Sequence, residues 1–324
     1  MMESEVQIIS ELSKIVEQAP NAENYINLAK AYYKLDEPDY ENAIINYSLA
    51  LKYKNCPKEA YYYRGIVYLR KKDNKNALKD LKTAAKLLPS IDTYFVLGNM
   101  YRLLEKYKQA LKIYSKLIKF KSYMPAYKYR ADCYYEICAY KKAIKDYSVA
   151  IEAYPQDEDL YNYRAFAYWQ IKNKLKNVIS DFTKILEINP KNLKAYTDRG
   201  YAYFQNKEYE KSIQDYKKFI ELKETGAGDD SHDSFLDINF AYGYIGVNQE
   251  KLRQYDEAIN NILKAVNQGE KFTMFNFSLA ICYFAKKCFK LGILNYIKAI
   301  KYYFSDVILH KIDLFIYKFK RIFL

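Results

Sequence analysis

From Tyr61 the chain sets apolar residues three and four apart. Tyr61, Gly65 and Tyr68 form one run, and Ala77, Leu81 and Ala84 form a second that ends at Pro89. Each run predicts an amphipathic helix, and the proline stops the second. The same order returns along the chain. YYYRGIVYL at Tyr61 reappears as YKYRADCYY at Tyr127, YNYRAFAYW at Tyr161 and YTDRGYAYF at Tyr196, with the variant YFVLGNMYR at Tyr94. Their small residues, Gly65, Gly98, Ala131, Ala165 and Gly200, follow one another at 33 to 35 residues, and a tyrosine stands three places after each. The second runs repeat as well, with Ala143, Tyr147, Ala150 and Pro155, then Val178, Phe182, Ile185 and Pro190. A period of this length marks helix pairs that bury their apolar faces only by stacking on one another.

These residues resemble the tetratricopeptide repeat, whose pattern of ~34 residues runs W-x2-L-G-x2-Y, then A-x3-F, then P. The resemblance implies an all-α fold, a right-handed α-solenoid of stacked antiparallel helix pairs with about eight repeats plus terminal helices. Six repeats fall at 22–57, 58–90, 91–123, 124–157, 158–192 and 193–225, and two less regular ones at 235–270 and 271–304, the last with Gly292 where alanine is usual. Ile8, Leu12, Ile15 and Pro20 read as an N-terminal half repeat. The organisation expected is a solenoid over 1–223, a polar break or hinge at 224–234, and the two last repeats with a C-terminal capping helix over 235–324. That last helix, 306–324, carries Ile308, Ile312, Phe315, Phe319 and Phe323 together with Lys311, Lys318, Lys320 and Arg321. Capping and a membrane-surface role both stay open for it.

Arg64 and its ring neighbours invite a nucleic-acid reading, with rings to stack bases and arginines to hold phosphates. An internal regularity argues for a structural role instead. Four repeats place arginine before the small residue, Arg64, Arg130, Arg164 and Arg199, and the same four place aspartate on the second helix, Asp80, Asp146, Asp181 and Asp215. Where Leu28, Leu97, Tyr242 or Leu279 stands instead, the aspartate is replaced by Asn46, Ile113, Asn261 or Asn295. An unpaired guanidinium between helices is costly, so each arginine is expected to pair within its own repeat.

In the tetratricopeptide family, certain positions of the first helix line a concave groove. Carried over, they give Tyr62 and Tyr63, then Phe95, Asn99 and Arg102, then Lys128, Tyr129, Asp132 and Tyr135. The fifth repeat adds Asn162, Tyr163, Phe166 and Trp169, and the sixth adds Lys194, Asp198, Tyr201 and Phe204. Aromatic anchors with scattered polar groups suit a peptide or helix of a partner protein. The alternative is that these rings pack between helices, and exposure of Phe166 and Trp169 decides between the two. The family's carboxylate clamp is matched only by Lys128 and Lys194, because Asp132 and Asp198 would repel a carboxylate.

Composition modifies this picture in one place. The chain of 324 residues carries a formal net charge of +13. Residues 70–121 hold 14 lysines and arginines against 4 acids, so most of the excess sits there. Lys79, Lys82, Lys86, Lys112, Lys116 and Lys119 fall on second helices, giving the alternative reading of an RNA or polyanion binder.

Enzymatic chemistry has no motif. His232 and His310 lack partners at ligand spacing, the acidic stretch Asp229–Asp233 reads as a loop, and no phosphate loop, nucleophile elbow or dinucleotide fingerprint appears. No cofactor is implied. Five cysteines without a CxxC pair, an acidic N-terminal start and the lack of a spanning segment predict a reducing, cytoplasmic setting.

Overall fold

A computed structural model describes residues 2–121, 123–229, 237–267 and 273–303. Among them the chain is all helix, with seventeen α-helices and one isolated bridge between Asn192 and Asp229. It divides into two compact units, residues 1–154 and 155–324.

The first unit opens with α1 (Met2–Gln18) and continues as four antiparallel pairs: α2 (Ala22–Lys34) with α3 (Tyr40–Ala50), α4 (Glu59–Arg70) with α5 (Asn74–Leu87), α6 (Ile91–Leu103) with α7 (Tyr107–Lys121), and α8 (Pro125–Glu136) with α9 (Tyr140–Ala153). The second unit holds α10 (Glu158–Trp169) with α11 (Leu175–Ile188), α12 (Leu193–Gln205) with α13 (Tyr209–Glu224), α14 (Ile238–Lys251) with α15 (Tyr255–Asn267), and α16 (Thr273–Ala285) with α17 (Phe289–Tyr303). Within each unit every helix packs on the next.

Local sequence sets the helix ends. Asp39 and Asp73 accept from the backbone N–H of Asn42 and Asn76, and Ser90 forms a reciprocal capping box with Thr93. The turn inside each pair from the second onward is less expected. Lys72, Glu105, Cys138, Asn173, Lys207, Arg253 and Lys287 all adopt positive φ, between 55° and 64°, and none is glycine. The helix pairs on either side hold these residues in a conformation that disfavours L side chains.

The core is filled from the second helices. Tyr47, Leu81, Tyr114, Tyr147, Phe182 and Tyr216 occupy one equivalent position and are all at most 2% exposed. Small residues opposite make room for them. A Cβ added at Gly98 would meet the Tyr114 ring at 2.7 Å, and one at Gly292 would meet Phe284 at 2.7 Å. Gly292 thus lets the Phe284 ring lie close against the helix, which accounts for its departure from the family pattern.

The arginines do pair within their repeats. Arg64 Nε and Nη2 donate to Asp80 at 2.6 and 3.0 Å, and Arg130 reaches Asp146 at 2.6 and 2.8 Å. Arg164 reaches Asp181 at 3.0 and 2.6 Å, and Arg199 reaches Asp215 at 2.8 and 2.7 Å. All four aspartates are buried. Burial pushes the Asp181 and Asp215 carboxyls upward, and their arginines offset part of that. For the guanidiniums, burial works against the charge, but the aspartate bond and charge outweigh it and raise them.

Two further contacts complete the sites of Arg64, Arg130 and Arg199. Arg64 Nη1 donates to Ser48 Oγ of the preceding pair at 2.8 Å, Arg130 to Ser115 at 3.1 Å, and Arg199 to Thr183 at 3.2 Å. Tyrosines from the same helix flank the guanidinium: Tyr61 and Tyr68 at 6.0 and 5.8 Å from Arg64, Tyr127 and Tyr134 at 5.3 and 6.0 Å from Arg130, and Tyr196 and Tyr203 at 5.8 Å from Arg199. Tyr61 and Tyr68 are thus half-buried covers over a cation, and Tyr68 also packs against the buried core.

The first part of the polar break is tethered. Asp229 N–H donates to Lys191 O at 2.8 Å, and the Asn189 amide donates to the Asp229 carboxylate at 2.9 Å. Residues 230–236, with His232, and 304–324, with His310 and the expected C-terminal capping helix, lie outside the described residues.

Candidate interaction surface

In the first unit the predicted groove residues form two small groups. Tyr62 is half-buried and meets Tyr63 edge-on at 5.4 Å, while Lys30 lies 5.0 Å above the Tyr63 ring. Phe95 packs edge-on against Tyr129 at 5.0 Å, with Lys128 and Arg102 at 5.1 and 5.7 Å from the Tyr129 ring. Asn99 and Asp132 do structural work. Each accepts a hydrogen bond from a buried tyrosine hydroxyl, Tyr114 at 2.7 Å and Tyr147 at 2.8 Å, because a buried phenol needs an acceptor.

The second unit brings its predicted rings into one continuous row. Phe166 stacks on Trp169 at 6.1 Å and 20°, Trp169 lies 5.7 Å from Tyr201, and Tyr201 stacks on Phe204 at 6.3 Å and 25°. All four are half-buried, so each ring keeps part of its surface open to solvent. Beneath them lie two buried rings. Phe182 meets Phe166 and Trp169 edge-on, and Tyr244 meets Tyr201 and Phe204 edge-on.

Polar groups fix this row from the side. Trp169 Nε1–H donates to Gln205 Oε1 at 2.7 Å, which locks the indole against α12. Lys194 Nζ lies 4.7 Å from the Phe166 centroid and pairs with Asp198 at 3.0 Å. Burial pushes the Asp198 carboxyl upward, with Lys194 opposing. Lys194 also lines a small polar pocket with Glu158, Asp159, Asn162 and Asn192 at the start of α10 and α12. Tyr163 is half-buried on the same helix as Phe166. Because Lys128 and Lys194 each pair with an aspartate one turn away, neither is available as a carboxylate clamp.

Gln205 and Tyr244 were not among the residues picked from sequence. Tyr244 follows Gly243 as Tyr201 follows Gly200, so the repeat register contained it. Gln205 closes α12 five places after Gly200, as Gln170 caps α10 five places after Ala165, but the family pattern fixes no residue there. Among the described residues, no group of three or more His, Cys, Asp or Glu side chains is placed to hold a metal, and no helix is long and apolar enough to cross a membrane.

Two segments of the chain match the tetratricopeptide repeat family, residues 91–122 and residues 182–214, and both fall within the stacked helix pairs just described. The chain thus carries tetratricopeptide repeats. No curated protein matches it. A tetratricopeptide repeat protein from Parabacteroides merdae is similar in structure over 79% of this chain and 96% of its own, at 19% identity and TM-score 0.50. YrrB, described as a TPR protein with an unusual peptide-binding site, is similar over 57% of this chain and 95% of its own, at 23% identity and TM-score 0.50. At such identities the tetratricopeptide likeness concerns the fold.

Proposed function

We propose that this protein is a non-catalytic, cytoplasmic interaction scaffold whose second unit docks an extended or helical segment of another protein. The observation that carries the reading is the row Phe166, Trp169, Tyr201 and Phe204, held rigidly by buried rings beneath and still part-exposed. Pre-ordered rings lose few rotamers on binding and bury much apolar area, which is why aromatic clusters dominate interface energies. Asn162, Lys194, Asp198 and Gln205 border the row and would set the register of a bound chain. In the first unit, Phe95 and Tyr129, with Tyr62 apart from them, offer smaller anchors. The peptide-binding site in the description of YrrB is consistent with this use of the fold.

The test is capture of partners from extract by the intact chain and by a Phe166→Ala, Trp169→Ala variant, followed by affinity measurement on the captured protein. Loss of at least ~2 kcal/mol, about thirtyfold in Kd, is expected for a pair of central anchors. Unchanged affinity would remove the row from the interface.

A further inference from the structure

The outward faces of α5 and α7 carry two rows of lysine. On α5 they are Lys75, Lys79, Lys82 and Lys86, spaced so that all fall on one side of the helix. On α7 they are Lys108, Lys112, Lys116 and Lys119, with the same helical spacing. Every one is exposed. Among the described residues none makes an ion pair, and the one acid on either helix, Asp80, is buried against Arg64.

The second unit supplies an internal control. Two of its second helices, α11 and α13, are lysine-rich too, yet there lysines pair with glutamates: Lys184 with Glu187 at 2.5 Å, Lys211 with Glu208 at 2.7 Å, and Lys218 with Glu221 at 2.6 Å. A general lysine bias would act on both units alike. Among the described residues, four unpaired lysines on each of two successive second helices are found at α5 and α7, whereas α9 and α17 carry fewer.

The kind of partner follows from what the rows lack. Neither helix has an arginine, and among the described residues the ring within cation–π reach of a row lysine is Tyr101, 5.8 Å from Lys82. Single-stranded nucleic acid is held by stacking on rings, which this face does not offer. Interfacial membrane helices insert apolar side chains among their basic ones, whereas among the described residues only Leu87, at the end of α5, is a large exposed apolar residue on these two helices. Lysines interspersed with Thr83 and Gln109 are the side-chain types that contact phosphate oxygens without reading bases. We propose that the α5–α7 face binds the phosphate backbone of double-stranded nucleic acid without sequence preference. It is a second binding surface, separate from the aromatic row.

The experiment is fluorescence anisotropy of the full chain with labelled duplex RNA and duplex DNA of mixed sequence. With most of the eight lysines engaged, affinity should fall on the order of 10³-fold or more between about 50 and 200 mM salt. A Lys79→Glu, Lys82→Glu, Lys112→Glu, Lys116→Glu variant should lose at least about tenfold at fixed salt and show a log–log salt slope shallower by about three to four. A control variant with the same change in net charge, Lys176, Lys184, Lys217 and Lys218 to Glu, should keep the wild-type slope. Circular dichroism of both variants checks that the helices are intact. The proposal is overturned by absence of duplex binding, by a salt-insensitive complex, or by equal loss in both variants. It is equally overturned if the chain binds anionic vesicles or an acidic peptide and not the duplexes.

Discussion

Truncating Asp80 to alanine leaves the Arg64 guanidinium between α4 and α5 with Ser48 and two tyrosine rings but no anion. The carboxylate it loses is 3% exposed and makes two bonds, at 2.6 and 3.0 Å. Breaking a fully buried pair from one side costs about 3–5 kcal/mol. Arg64 keeps 17% of its side chain in solvent and its Ser48 bond, so a value at or just below the bottom of that range applies, about 2–3 kcal/mol. The chain itself suggests the compensating change, since the third repeat has Leu97 and Ile113 at these two places. Arg64→Leu with Asp80→Ile should therefore recover most of the loss, because a well-packed apolar pair often matches a buried ion pair. Urea unfolding of Asp80→Ile, Arg64→Leu and the double variant, closed as a cycle, measures the coupling, with Asp80→Ala measured beside them. A cost below about 1 kcal/mol for Asp80→Ala, or a double variant worse than either single one, would refute the reasoning.

Glu105→Gly relieves a positive-φ residue, a gain of about 1–2 kcal/mol against ~0.5–1 kcal/mol of added unfolded-chain freedom, so a slightly higher Tm is expected. A lower Tm would mean that the Glu105 side chain matters. Asp198 has a carboxyl raised by burial, so its favourable contribution exists below the ordinary carboxylate range and is lost as pH rises through its raised value. Asp198→Asn should accordingly raise Tm at neutral pH relative to pH 4, and the reverse trend would contradict this. Tyr296 is 48% exposed although Tyr47, Tyr114, Tyr147 and Tyr216 at the same place are buried. We expect residues 306–324 to cover this end, so their deletion should lower Tm and solubility, and an unchanged Tm would reject the cap.

Much of this was legible because repeats are a chain's own alignment. The small residues of the first helices, the rings of the second helices and the Arg–Asp pairs recur with the period and were placed from sequence alone. The Ser and Thr partners of the arginines follow the same logic but were missed, although the signal is there. Ser48, Ser115 and Thr183 precede a repeat with arginine, while Lys82 and Lys217 hold the corresponding place before Leu97 and Tyr242. They escaped notice because the pairing runs between repeats, and a search within each repeat does not see it. The left-handed turns were hidden for a different reason. A lysine or glutamate carries no preference for positive φ, and only the packing of the two helices imposes it. At the candidate surface, sequence placed Asn99 and Asp132 by register but not their duty to Tyr114 and Tyr147. That duty depends on how deeply the phenols sit, and depth is not periodic.

Hydroxyl-radical footprinting of the free chain and of its complex with a captured partner segment tests the central claim most directly, since it reports solvent contact ring by ring. The account predicts protection of Phe166, Trp169, Tyr201 and Phe204 in the complex, with Tyr154 and Tyr296, which lie off the row, unchanged. Oxidation of all four at the free-chain rate in the complex would contradict it.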